Sequence, residues 1–179
     1  AWVSKYGKNT AFFCTNDAHT EPLLKQLAAN GGFFIEADLP SPLMGYPGAF
    51  GIDLAAEAGN WPVILEKVEK AVSDAGAAGR MGTWAFSYGY TNSVALAEFG
   101  KRIVEGTAKL DSKDDLMACY GEYTPGAKWN GNYYTDLGTG VTSKNHLLVY
   151  QDTYIFGKGF MNAASVEVPE KSGQIKMTK

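Results

Sequence analysis

Apolar runs and amphipathic stretches alternate along the first hundred residues. Apolar runs begin near residues 11, 33 and 81, and each is typical of a buried strand. Apolar residues at a spacing of three to four predict helices over residues 20–30 and 60–76, with another helix after residue 91. This order of strands and helices predicts an α/β fold with a mainly parallel sheet.

The pattern changes after residue 106, where glycine, asparagine, tyrosine and threonine become frequent. Residues 116–120, 147–150 and 153–156 are predicted to be strands, and the last two would join at Gln151–Asp152. We therefore expect residues 1–165 to form a single α/β lobe and residues 166–179 to form a polar tail.

Residues 39–59 are predicted to form a long loop because they contain three prolines and four glycines. Loops of this length within a compact domain are usually functional. The segment is therefore a candidate for contact with a ligand.

Composition narrows the classes of function. The chain is 45% apolar and 13% aromatic with a net charge of −3, so it can build a core but lacks the excess of basic residues typical of nucleic-acid binding. No run approaches the roughly 20 apolar residues of a membrane span, and no signal peptide is visible. The first nine residues look like the last turns of a helix, so we expect an N-terminal part to precede them. Cys14 and Cys119 are expected to be unpaired.

Polar residues follow each of the first three predicted strands, and aromatic residues follow the second and the third. Because the carboxyl ends of parallel strands meet at one edge of an open sheet, these residues are expected to face a shared ligand-binding edge. The candidate ligand-binding residues are Asn16, Asp17, His19, Asp38, Tyr46, Phe86, Ser87 and Tyr88. Each has a structural alternative: Asn16 and Asp17 could cap the next helix, and the aromatic rings could anchor loops to the core.

Three segments resemble strand ends of type I periplasmic solute-binding proteins. Phe12–Asp17 ends in an Asn-Asp pair, Phe34–Pro40 has an acidic residue before a proline turn, and Thr83–Ser87 ends in a polar residue before a helix. The resemblance covers residues 11–106 and implies a three-layer Rossmann-like lobe, equivalent to the C-terminal lobe of a two-lobed receptor. The chain also resembles an uncharacterised bacterial family of lipoprotein type. It departs from the sugar-binding pattern at Phe86 and in the inserted loop over residues 43–53.

The resemblance implies a non-enzymatic lobe that binds a small polar ligand such as a sugar or a nucleoside. Its partners would be the missing N-terminal lobe and a membrane transporter, and it would not contact nucleic acid directly. The expected location is extracytoplasmic, either periplasmic or anchored to the membrane as a lipoprotein. The lobes would close around the ligand about a hinge.

Two alternatives remain open. The same lobe could be the sensor of a transcriptional regulator, in which case a basic helical head rather than a lipoprotein leader would be encoded upstream. An α/β enzyme is the other alternative, and loss of activity in Asp17→Ala or His19→Ala would favour it. Cys14, His19 and Asp17 could form a nucleophilic set, but a thiol inside an apolar strand is inert. No cofactor or metal site is predicted.

Overall fold

The computed structural model describes residues 1–162, except for the side chains of Asn145 and His146. The helices are α1 (Trp2–Tyr6), α2 (Thr20–Asn30), α3 (Tyr46–Phe50), α4 (Trp61–Asp74), α5 (Tyr88–Val104) and α6 (Lys113–Tyr123). The strands are β1 (Ala11–Cys14), β2 (Phe33–Ala37), β3 (Gly82–Thr83), β4 (Trp129–Thr135), β5 (Thr142–Gln151), β6 (Tyr154–Ile155) and β7 (Gly159–Phe160). Two short 3₁₀ helices cover Asp17–His19 and Ala55–Glu57. The predicted polar tail lies outside the described residues.

The chain has a mixed α/β fold, but its strand pairs are mostly antiparallel. Strands β1 and β2 are parallel, and Phe34 of β2 forms a parallel bridge to Met81 just before β3. Strand β6 then pairs antiparallel with both β3 and β7, and β4 pairs antiparallel with β5. The expectation of a mainly parallel sheet is therefore wrong. Antiparallel strands need only a short turn between them, such as residues 136–141 between β4 and β5.

Helix α6 occupies a segment that was expected to be a strand. Ser112 precedes it and accepts a hydrogen bond from the Asp115 amide at 3.2 Å, which caps the helix. Leu116, Cys119 and Tyr120 are buried at helical spacing against α5. This apolar face, rather than strand pairing, determines the local structure. Strand β5 begins earlier than expected and includes residues 147–150.

Three groups of buried side chains form the core. The largest lies between the sheet and helices α2 and α4, and it contains Leu24, Phe34, Val68 and Phe156 among others. A second group joins α5 and α6 to the β4–β5 pair. A third group surrounds Trp61 at the start of α4. Partly buried side chains such as Tyr154 belong to both the first and the third groups, which makes these two groups continuous.

The long loop over residues 39–59 is anchored to the core by Tyr46. Its side chain is 1% exposed, and its hydroxyl donates a 2.7 Å hydrogen bond to the carbonyl of Gly82. Burial, reinforced by the charge of Glu36, holds the pKa of Tyr46 well above its usual value. Gly45, just before α3, packs so closely on α2 that a Cβ there would lie 2.8 Å from the backbone nitrogen of Glu21. The loop is therefore held close to the first turns of α2.

Both cysteines are free and buried, Cys14 in β1 and Cys119 in α6. Within residues 1–162, no helix combines the length and the apolar character that crossing a membrane requires.

Candidate functional site

The ends of the first three strands are linked by hydrogen bonds between their turns. A carboxylate oxygen of Asp17, after β1, accepts a hydrogen bond from the amide of Leu39, after β2, at 3.2 Å. The amide of Tyr88, at the start of α5, donates to the carbonyl of Pro40 at 3.0 Å. The turns that follow β1, β2 and β3 therefore lie side by side along one edge of the sheet, which is called the strand-tip edge below.

Several of the predicted site residues surround this edge. Asn16, His19 and Asp38 are exposed, whereas Asp17 and Ser87 are partly buried. The side-chain oxygen of Asn16 accepts a hydrogen bond from the amide of Ala18 at 3.0 Å, so it caps the 3₁₀ turn as the structural alternative expects. Asp17 uses one carboxylate oxygen to join two strand tips.

Two aromatic residues of the predicted site are buried in the core. Tyr46 is 1% exposed and packs against Phe34, Phe50 and Phe156, and Phe86 is 7% exposed beside Trp61. Neither ring is accessible to a ligand in this structure, because apolar packing of the loop and of the α4 start encloses them. In this structure both residues anchor the core, and their contact with a ligand stays a prediction.

A group of four aromatic rings stands next to the strand-tip edge. The ring centres of Tyr88 and Trp84 are 5.6 Å apart. The ring centres of Trp84 and Trp129 are also 5.6 Å apart, and these two rings meet edge to face. Tyr120 lies 4.3 Å from Trp129, and its hydroxyl donates a 2.6 Å hydrogen bond to Asn92. Tyr88 is 39% exposed, so this ring group has an open side. We call these four residues the aromatic group.

Two buried polar atoms beside the aromatic group have no hydrogen-bond partner within residues 1–162. They are the hydroxyl oxygen of Thr83 and the amide nitrogen of Gln151. The amide oxygen of Gln151 accepts a 3.1 Å hydrogen bond from the Phe86 backbone, and Gln151 pairs with Trp129 across the β4–β5 ladder. A buried polar atom without a partner is costly, so such atoms often mark a place where a ligand or water binds.

Two acidic residues, the partly buried Glu36 and the buried Asp152, extend this polar region. Glu36 on β2 accepts a 2.7 Å hydrogen bond from the Thr153 hydroxyl. Burial raises the pKa of Glu36 to about 7; the Thr153 hydrogen bond opposes that rise, and the charge of Asp152 adds to it. Asp152 is fully buried and accepts a 2.6 Å hydrogen bond from the Asn162 amide. The region can therefore hold a proton near neutral pH.

Sequence reasoning did not identify Thr83, Trp84, Trp129, Gln151 or Glu36 as site residues. The sequence contains one feature that points to Gln151. Gln151 and Asp152 are polar residues that lie between two predicted apolar strands. Trp129 lies in a glycine-rich segment whose pairing with β5 brings it 5.6 Å from Trp84. That contact depends on tertiary structure and could not be inferred from local pattern.

The arrangement suits the binding of a polar molecule with a flat or apolar face. Amide, hydroxyl and carboxylate groups can bind hydroxyls, and exposed aromatic rings can pack against a ring. Within the described part of the chain, no cluster of three or more histidine, cysteine, aspartate or glutamate side chains could hold a metal ion.

Comparison with known sequences shows similarity to bacterial proteins without an assigned function. Residues 1–82 match the family described as a protein of unknown function, DUF3798, and a second family matches residues 93–175. An uncharacterised protein of Treponema pallidum (strain Nichols) is 44% identical over 71 residues, which are 40% of this chain and 31% of that protein. Another from the same organism is 29% identical over 79 residues, which are 44% of this chain and 89% of that protein.

The fold is similar to that of a solved structure. A crystal structure of a candidate transcriptional regulator from Clostridium difficile 630 matches with a TM-score of 0.70 and 21% sequence identity. The match covers 87% of this chain and 43% of that one. The chain therefore spans less than half the length of the solved protein, and less than a third of the first Treponema relative.

Proposed function

We propose that this chain is a ligand-binding lobe of an extracytoplasmic solute-binding protein. The observation that carries the proposal is the strand-tip edge, where Asp17 and Tyr88 join three turns beside the aromatic group. Small-molecule sites of open α/β sheets lie outside the carboxyl ends of the strands. The ligand would be a small polar molecule, with a nucleoside or a sugar as the leading classes.

Each part of the edge would have a separate role in binding. Asp17, Asp38 and Ser87 would bind hydroxyl groups, and Tyr88 would pack against the face of a ring. Thr83 and Gln151 are 2% and 1% exposed, so their unpartnered atoms would be satisfied by water enclosed beside the edge rather than by the ligand itself. The lobe would act without catalysing a reaction.

The chain alone should bind such a ligand weakly. A small-molecule pocket usually buries about 70–90% of its ligand, whereas a single open edge covers one side. Losing about 4 kcal/mol of contacts weakens binding about a thousandfold, from micromolar to millimolar. A second lobe that closes over the edge would restore these contacts.

Calorimetric titration with uridine, adenosine, ribose and glucose tests this function. We expect a dissociation constant near the millimolar range for at least one compound, and about tenfold weaker binding in Tyr88→Ala. Tyr90→Ala is the matched control, because Tyr90 is equally exposed, at 37%, but packs against Trp61 instead. Micromolar binding by the monomer would show a complete site, and an equal effect of both variants would refute the role of Tyr88.

A sensor domain of a transcriptional regulator is the second candidate. The similarity in fold to the Clostridium difficile structure supports it, since that protein is named as a candidate regulator. Both candidates would use the same edge. Sequencing the gene upstream of Ala1 separates them, because a lipoprotein leader favours transport and a basic helical head favours regulation.

A further inference from the structure

The sheet has a second apolar face, opposite the one that packs on α2 and α4. Side chains alternate between the two faces of a strand, so Phe12 and Phe34 join the core while Phe13 and Ile35 point to the opposite side. Phe13 is 53% exposed and Ile35 is 44% exposed. Parallel strands usually have both faces covered, and an exposed apolar patch on a soluble protein usually marks a binding surface.

This face contains a groove of about 300 Å³. Apolar side chains of β1, β2 and β6 and of the residues next to β3 and β7 line it, and they include Phe33, Ile35, Ile155 and Met161. The volume lies near the lower limit for small-molecule pockets, about 300 Å³. A single turn of an α-helix, about 10 Å across and 5.4 Å long, would occupy more than this volume. The groove therefore fits a single alkyl chain better than a docked helix.

Two cationic side chains line the same groove. Arg80 lies with its guanidinium 4.6 Å from the ring centre of Phe33 and donates a 2.8 Å hydrogen bond to the carbonyl of Lys8. The stem of Lys158 packs over Gly79, where a Cβ would lie 2.8 Å from it. Neither cation forms an ion pair with a carboxylate of residues 1–162. An apolar groove with unpaired cations is complementary in charge to an amphiphilic anion.

We propose that the groove binds a single-chain amphiphilic anion such as a medium-chain fatty acid carboxylate. The alkyl chain would lie over Ile35 and Ile155, and the carboxylate would pair with Lys158 and Arg80. This site is separate from the strand-tip edge and does not depend on the ligand proposed there.

Titration of the 179-residue chain with decanoate and octanoate by calorimetry tests the site. Each buried methylene contributes about 0.8 kcal/mol, so decanoate should bind about tenfold more tightly than octanoate, with one molecule per chain. Decylammonium, which has the same chain and the opposite charge, should bind at least about tenfold more weakly than decanoate.

Two pairs of variants identify the groove as the site. Lys158→Glu should weaken decanoate binding about tenfold, and the control Lys109→Glu, which makes the same charge change on the exposed α5–α6 connection, should not. Ile35→Asp should abolish binding, whereas Leu96→Asp on the exposed side of α5 should leave it intact. Absence of saturable decanoate binding, or equal losses in a variant and its control, would overturn the proposal. Self-association that only Ile35→Asp relieves, without decanoate binding, would instead assign the face to a second copy of the chain.

Discussion

Glu36 is a partly buried carboxyl group that connects the sheet to the turn after β5. Two nearby titratable groups interact electrostatically with Glu36. The charge of Asp152 raises the pKa of Glu36, and the charge of Glu36 raises the pKa of Tyr46. The hydrogen bond from Thr153 only partly offsets the cost of burying the charge. This carboxyl group therefore titrates near neutral pH in the folded protein.

The pKa of Glu36 predicts how stability depends on pH. The pKa of Glu36 in the folded protein is about 7, above its ordinary value of 4.5, so the folded protein keeps a proton that the unfolded chain releases. Stability should therefore fall by up to about 3 kcal/mol as pH rises from 4.5 to 7, and this contribution should be constant above that range. Glu36→Gln removes this contribution. The free energy of unfolding of the variant minus that of the wild type should therefore be larger at pH 8 than at pH 5.

Urea unfolding of both proteins at these two pH values measures the difference. The difference between the two proteins cancels the effect of other titrating groups that they share. If the difference in unfolding free energy between the two proteins were the same at pH 5 and at pH 8, Glu36 would have an ordinary pKa in the folded protein.

A single N-terminal cap contributes to the stability of helix α6. The Ser112 hydroxyl accepts from the Asp115 amide, and Asp114 and Asp115 lie in the first turn, where negative charge favours the helix terminus. Ser112→Ala should lower the free energy of unfolding by about 1 kcal/mol. Ser73→Ala, at an exposed position near the end of α4, serves as the control. Urea unfolding would contradict the cap if both variants had the same stability.

The helices and strands whose ends are marked by nearby residues, such as proline or glycine, were predictable from the sequence. Helix α2 has the predicted bounds because Pro22 fits its first turn and Gly31, with a φ of +84°, follows its end. Strand β1 begins at residue 11, where its apolar run begins. Helix α6 was missed because its short apolar run looks like a strand unless Leu116, Cys119 and Tyr120 are read at helical spacing. Strand β3 is only two residues long, much shorter than its apolar run suggested.

The candidate site was predictable only where it depends on strand ends. Asp17 and Tyr88 follow strands in the sequence, and the structure joins both of their turns to the turn after β2. Gln151 and Trp129 come from the second half of the chain, and tertiary pairing brings them next to Trp84. Pattern along the chain carries no information about such distant contacts.

The molecule as a whole has two separate candidate binding surfaces. The strand-tip edge combines the carboxylates of Asp17 and Asp38 with the aromatic group, and the unpartnered polar atoms of Thr83 and Gln151 are buried beside it. The open sheet face combines apolar side chains with two unpaired cations. The polar edge suits a ligand with hydroxyl groups, and the sheet face suits an amphiphile, so the two surfaces should bind independently.

The most direct test of a ligand site at the strand-tip edge is an NMR titration that follows backbone amide shifts of the ¹⁵N-labelled chain. Uridine, adenosine, ribose and glucose would each be added to about 10 mM, well above the weak dissociation constant expected for one open lobe. We predict that at least one compound shifts the amides of Asp17, Leu39, Tyr88 and Gln151 together in a saturable manner. Shifts confined to other surfaces, or no saturable shift with any of the four compounds, would contradict a ligand site at the strand-tip edge.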